Sequence, residues 1–223
     1  DDSTTYAVSG TCNENGATVN IQLDAVDATG QLGFSCDGTN FAGTINSTGY
    51  ADATYAFTAI ISDTAGNSVT TAANNVTKDV VPPAVAITSP LDSTYINVAN
   101  DSATFTVSGT CNENTQVVDV KVDGVSAAGQ LGFVCDGTNF TGTINSTGIA
   151  EGALALTAYI EDANTNSTTS TAINLTKDSI APAIALVTPA DLALITAGDD
   201  STTYAVSGTC NENGATVNIQ LDA

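Results

Sequence analysis

Apolar and polar residues alternate along short stretches of this chain with a period of two, not 3.6. Phe105, Val107, Gly109 and Cys111 fall on one side of such a stretch, and Thr104, Thr106 and Ser108 on the other. Val118, Val120 and Val122 then interleave with Asp119, Lys121 and Asp123. Leu154, Leu156, Ala158 and Ile160 repeat the pattern, matching Tyr55, Phe57, Ala59 and Ile61 upstream. Clusters of Gly, Asn and Asp separate the runs, which is the punctuation of strands and turns. No segment carries an i, i+3, i+4, i+7 stripe, so the expected fold is all-β. Seven strands are predicted at 84–88, 103–111, 116–122, 130–135, 140–145, 153–161 and 167–176. Short half-buried strands of this kind pack as two antiparallel sheets, here expected as an up-and-down sandwich.

The pattern recurs. Cys12, Cys111 and Cys210 lie 99 residues apart, as do Lys78 and Lys177, Pro83 and Pro182, and Pro90 and Pro189. Residues 1–25 return unchanged as 199–223. A period near 100 residues suits one immunoglobulin-like β-sandwich, long enough to bury its own core. The chain therefore divides into a repeat lacking its first strand (1–81), a complete repeat (82–180) and the start of a third (181–223). Because it begins and ends in mid-repeat, it reads as a window on a longer array. Prolines 82, 83 and 182 follow Lys-Asp and stiffen the expected linkers.

Charge changes the picture of partners. Asp and Glu number 24 against 3 Lys and Arg, a net charge of −21. Such a chain repels nucleic acid and anionic membrane, and divalent cations are its natural counter-partners. No run of about 20 apolar residues supports a membrane helix. Each full repeat carries two cysteines 24 residues apart, and the chain has no histidine, so a zinc site lacks ligands. One disulfide per repeat in an oxidising compartment is expected, Cys12 with Cys36 and Cys111 with Cys135, with free buried thiols as the alternative. Cys210 would find its partner beyond residue 223.

The sandwich arrangement brings loops together where the chain enters each repeat. Asp79 lies in the entering linker, beside Asn112-Glu113-Asn114 and the hairpin 162–166. The first copy offers Asn13-Glu14-Asn15 and the hairpin 63–67. Calcium takes six to eight oxygens from carboxylates, amides and carbonyls, which such loops supply. The plainer reading is turn chemistry, in which Asp and Asn bond their own backbone.

VSGTCNEN, SDTAGN and TKD-x-x-P, in that order within one period, resemble the bacterial Ig-like repeats of very large surface adhesins and other extracellular fibrous proteins. The resemblance covers the whole chain and implies an extracellular string of β-sandwiches, often with calcium at the junctions. The matching positions are Asp79, Glu113, Asp162 and Asn166 for one junction. Glu14, Asp63 and Asn67 match an earlier one, and Asp178 with Glu212 a later one. The second copy departs from the glycine turn of SDTAGN, having Asp162-Ala-Asn-Thr-Asn166. The disulfide span is also shorter than the antibody-type bridge.

Seven Asn-x-Ser/Thr sequons begin at Asn46, Asn75, Asn100, Asn139, Asn145, Asn166 and Asn174. Strand alternation places Asn46, Asn75, Asn145 and Asn174 outward, as candidate glycosylation sites. Lys78 and Lys177 are expected as solvated edge charges that discourage strand pairing. An isopeptide bond from either lysine to an asparagine is the sharper alternative. General acid–base and nucleophilic machinery lacks its usual parts, so the chain is not expected to be an enzyme. The reading that emerges is a spacer repeat of a long cell-surface adhesin or fibre, contacting neighbouring repeats of its own chain. Two alternatives remain. One is lateral self-assembly with other copies into a filament. The other is binding of cell-surface glycans through Thr-rich faces (Thr39, Thr44, Thr138, Thr143), although tryptophan is absent and aromatics are only 5%.

Overall fold

The computed structural model describes residues 2–200 and 202–221, so the outer limits at 1 and 223 lie outside the described residues. The first repeat holds β1 (Tyr6–Thr11), β2 (Val19–Leu23), β3 (Val26–Asp27), β4 (Asn40–Ile45), β5 (Ala53–Ser62), β6 (Ser68–Thr70) and β7 (Asn74–Lys78). The second adds β8 (Val85–Ser89), β9 (Tyr95–Asn97), β10 (Phe105–Cys111), β11 (Val118–Val122), β12 (Val125–Ser126), β13 (Asn139–Ile144), β14 (Gly152–Glu161), β15 (Ser167–Thr169) and β16 (Ile173–Asp178). The third contributes β17 (Ile184–Thr188) and β18 (Ser207–Cys210).

In the second repeat, one sheet has the order β13-β10-β8 and the other β12-β11-β14-β16-β9, with β15 also on β14. The chain crosses between sheets after β8, β9, β10, β12 and β13, so the topology is immunoglobulin-like rather than the up-and-down order expected. Alternation makes the sandwich. Phe105, Val107, Gly109 and Cys111 of β10 are buried, while Thr106 and Thr110 face water. Val118 and Val120 meet Leu154, Leu156, Ala158 and Ile160 from β14 in one core with Phe133, Phe140, Ile144 and Leu175. The first repeat builds the same core from Val19, Ile21, Leu23, Phe34, Phe41 and Ile45. Phe133 and Phe140 meet edge-on with ring centroids 6.2 Å apart, and Phe34 and Phe41 repeat this at 6.3 Å. Gly109 is required by packing, because a Cβ there would strike the Ala86 carbonyl of β8 and lie 2.5 Å from the Phe140 ring.

Both expected disulfides are formed, Cys12–Cys36 and Cys111–Cys135. Each sandwich of the first two repeats therefore carries one. Cys210 is exposed and free.

Several strand expectations change. Residues 130–135 are not a strand; their strand-type pairing is limited to the isolated bridges Leu131↔Thr143 and Val117↔Val134. Gly129 and Gly132, at φ 67° and 87°, break the extended run. Residues 167–176 divide into β15 and β16 around Ser170, whose hydroxyl takes the Ala158 N–H and donates to the Thr171 carbonyl. β10 starts at Phe105 rather than 103, and β11 at Val118 rather than 116. The strands β9 and β12 were not expected, being only three and two residues long. β9 runs parallel to β16 and sets Ile96, 1% exposed, into the core.

Candidate junction site

The linker from the first repeat meets the second at the turn between β14 and β15. Asp162 heads that turn, its N–H donating to the Asn166 carbonyl. Its Oδ1 accepts the backbone N–H groups of Asn164 (2.8 Å) and Asn166 (2.9 Å), and its Oδ2 accepts Asn166 Nδ2 at 2.9 Å. Two amides then reach across to the linker. Asn164 Nδ2 donates to Asp79 Oδ2 at 2.7 Å, and Asn166 Nδ2 to the Asp79 carbonyl at 3.1 Å. Asp79 Oδ1 in turn accepts the Val81 N–H at 3.2 Å. Burial pushes the Asp162 carboxyl up, but the Asn166 side chain and the backbone donors of Asn166 and Asn164 outweigh it and hold it below the ordinary carboxylate range.

A second bond fixes the linker further on. Asn112 Oδ1 accepts the Ala84 N–H at 2.7 Å, and Pro83 between these contacts is buried. The next junction repeats the bond, Asn211 Oδ1 accepting the Ala183 N–H at 2.6 Å. The sequence reading named the loop 112–114 but selected Glu113. The anchoring side chain is its neighbour Asn112, and Asn164 was also passed over. The signal for Asn112 is the recurrence of Asn13, Asn112 and Asn211 directly after each repeat's first cysteine, whereas Asn164 has Ala65 in the first copy and carries no such signal.

Of the residues matched to the junction, Asp79, Asp162 and Asn166 come together. Glu113 is half-buried nearby in sequence, with its carbonyl taking the Gln116 N–H. No group of three His, Cys, Asp or Glu side chains is close enough to share a metal ion among the described residues, so Glu113 does not complete a set with Asp79 and Asp162. Asp63 and Asn67 form the same turn in the first repeat, Asn67 donating through N–H (2.8 Å) and Nδ2 (2.7 Å). Glu14 and Glu212 are exposed, and no hydrogen bond joins Asp178 to Glu212 among the described residues. The departure from SDTAGN costs the turn little in shape: Thr165 takes the left-handed conformation, φ 71°, that Gly66 takes in the first copy, φ 90°.

The lysines are not solvated edge charges. Lys177 is 3% exposed and pairs with Asp101 Oδ2 at 3.0 Å while donating to the Ser146 carbonyl at 2.9 Å. The Ser146 hydroxyl, fully buried, donates to Asp101 Oδ1 at 2.6 Å. Lys78 pairs likewise with Asp2 at 3.0 Å and donates to the carbonyls of Ser47 and Tyr50. These partners are a carboxylate and carbonyls, an ion pair rather than the asparagine amide that an isopeptide bond needs. The edge-charge expectation failed because Asp2 and Asp101, recurring at the same period, give the two lysines carboxylate partners.

Among the sequons, Asn75 and Asn174 are exposed. Asn46 and Asn145 are half-buried, and their amide oxygens accept the N–H and hydroxyl of Thr48 and Thr147.

No family model matches the chain, and no curated protein does. Among solved structures, it is similar to the fibronectin(III)-like modules of Clostridium thermocellum CbhA, at 14% identity and a TM-score of 0.41, over 79% of this chain and 87% of that one. It is also similar to a calcium-stabilised adhesin with which an Antarctic bacterium binds ice, at 24% identity and a TM-score of 0.38, over 92% of this chain. The chain spans about half, 52%, of that structure's length. The D00–D0 region of intimin is a further likeness, at 15% identity and a TM-score of 0.27, covering 79% of this chain and 87% of that one.

Proposed function

We propose that these repeats are spacers of a long extracellular surface protein, an adhesin stalk or fibre, and carry no catalysis. The observation behind this reading is the contact across the junction, where the side-chain amides of Asn164 and Asn166 in the second repeat hold Asp79 of the linker from the first. A chain of separate binding modules gains nothing from fixed joints, whereas a stalk requires them for reach. The disulfides and the Lys78–Asp2 and Lys177–Asp101 pairs add resistance within the first two repeats, and the excess of acids keeps neighbouring stalks apart.

Calcium at the junction belongs to the same proposal. Turning the amides of Asn164 and Asn166 would present their oxygens, with Asp79 and Asp162, as a neutralising ligand set. The experiment is a thermal melt of the chain in calcium and in chelator, with Asp79→Asn and Asp162→Asn variants beside it. A melting shift of several degrees that both variants remove supports the metal. Identical curves leave the amide bonds as the whole of the joint and remove calcium from the proposal.

A further inference from the structure

For twenty residues the two copies are almost the same, since 30–49 and 129–148 differ only at Ser35 against Val134 and Ala42 against Thr141. The core explains the phenylalanines, the cysteine and the isoleucine of this stretch, which are buried. It does not explain the leucine. Leu32 and Leu131 are 73% and 74% exposed. Leu131 bridges Thr143 of β13, and residues paired across antiparallel strands point to the same side. Thr143 alternates with the buried Ile144, so both side chains lie on the outer face of the sheet β13-β10-β8. All three strands of that sheet are present in the second repeat, and Leu131 sits on its β13 side, away from β8.

Leu131, Thr143 and Thr106 form one row across this face, and Thr141 with Ser108 the next. Asn139 and Thr110 form a third. Beside Leu131, Val134 and Val117 pair along the side of the sandwich, 50% and 68% exposed. No charged residue lies on β8, β10 or β13, nor in 129–135. The opposite sheet carries Asp119, Lys121, Glu161 and Asp178 instead. A chain of net charge −21 thus keeps one sheet face neutral, with three exposed apolar side chains at its edge. An apolar patch with a polar rim is the mark of an interaction surface.

We propose that this face is a side-by-side contact between two copies of the chain, centred on Leu131, Val134 and Val117 of each. Charge and period together point to that occupant. Chains this acidic repel wherever carboxylates meet, and only a face without them lets two copies approach. A basic partner would be drawn to the acidic sheet and loops instead. The first repeat offers a neutral face one period earlier, on β1 and β4 with Leu32, although Thr18 and Ser35 replace the valines. Another array of the same repeats matches that spacing by construction. The contact is isologous, with one patch used by both copies. Strands about 4.8 Å apart, with outward residues about 7 Å apart, give three rows on three strands an area of about 300 Å². A standard interface buries about 800 Å² per partner, so one repeat pairs weakly and successive repeats add. This goes beyond the spacer reading, which concerns the joints within one chain and stands or falls without it.

The test is sedimentation velocity of the 223-residue chain carrying Cys210→Ser, which removes the exposed thiol as a route to disulfide dimers. Concentrations run from about 10 μM to about 1 mM, the range of weak association. Each is measured in low salt and in about 0.5 M salt, where screening relieves the repulsion between copies. A monomer–dimer equilibrium is expected, tighter at high salt. Leu131→Asp with Val134→Asp should weaken it at least about tenfold, as loss of a central apolar anchor does. Thr169→Asp, on the outer face of the opposite sheet, should change it less than about twofold. All three residues are exposed, so none of these changes removes a core side chain. A chain monomeric at every concentration and salt would overturn the proposal. So would a dimer indifferent to the paired Leu131 and Val134 variant, or one weakened equally by Thr169→Asp. A monomer that instead binds an insoluble neutral polysaccharide such as cellulose, and loses it with Leu131→Asp, would give the face to a glycan and overturn the proposal as well.

Discussion

Removing the Cys111–Cys135 bridge should weaken the second repeat by a calculable amount. The two cysteines are 24 residues apart, and a cross-link over about 25 residues restricts the unfolded chain by about 3.5 kcal/mol. Cys135 and Cys111 are buried at 1% and 6% exposure, so replacing both with alanine also removes two sulfurs from the core. At about 0.8 kcal/mol for each methylene-sized group, the combined loss is about 5 kcal/mol. With a urea dependence of about 1.5 kcal/mol per molar for a domain this size, the midpoint should fall by about 3 M. Hydrogen exchange read by mass spectrometry along a urea series localises the effect, following β14 for the second repeat and β5 for the first. Cys111→Ala with Cys135→Ala should expose β14 early and leave β5 unchanged, and Cys12→Ala with Cys36→Ala should do the reverse. A loss below about 1 kcal/mol, or one shared equally by β5 and β14, would refute both the entropic account and the independence of the two cores.

Four other outcomes follow from single contacts. Ile96→Ala should cost about 2–4 kcal/mol in chemical denaturation, because a fully buried side chain leaves a cavity that a three-residue strand cannot close. Thr165→Gly should stabilise the second repeat by about 1 kcal/mol, relieving a β-branched residue at φ 71°, and a neutral or harmful effect would contradict that strain. Asn112→Ala leaves the Ala84 N–H without its acceptor and should cost about 1 kcal/mol, read as faster exchange of linker amides. In acid, the Asp101 carboxyl is held below its ordinary value of 3.8, chiefly by the Ser146 hydroxyl, against burial and with help from Lys177. Its contribution is fully present above about pH 4 and is lost as the pH falls through its lower folded value. Acid titration followed by circular dichroism should show this loss, and Asp101→Asn should flatten it.

Period-two alternation made β10, β11, β13 and β14 legible in the sequence, because each has one face in the core and one in water. The same logic could not find β9, whose three residues carry a single inward side chain, nor the break at Ser170, where a hydroxyl replaces a ladder bond. Residues 130–135 read as a strand because Leu131, Phe133 and Cys135 alternate, yet Leu131 is 74% exposed and the glycines bend the backbone away. At the junction, Asp79, Asp162 and Asn166 were reachable from loop adjacency alone. Asn112 was hidden beside a more conspicuous acid, since charge draws attention where a neutral amide does the anchoring. The buried Lys177 was hidden because its partner Asp101 lies 76 positions away and only the fold joins them.

The most direct test of the stalk reading is small-angle scattering of the chain at dilution. Fixed junctions predict a rod one sandwich wide, gaining about 40 Å for each complete repeat at strand spacings near 3.3 Å per residue. Scattering from independently tumbling beads on a flexible thread would contradict the account, because anchored linkers could not then be setting the reach of the chain.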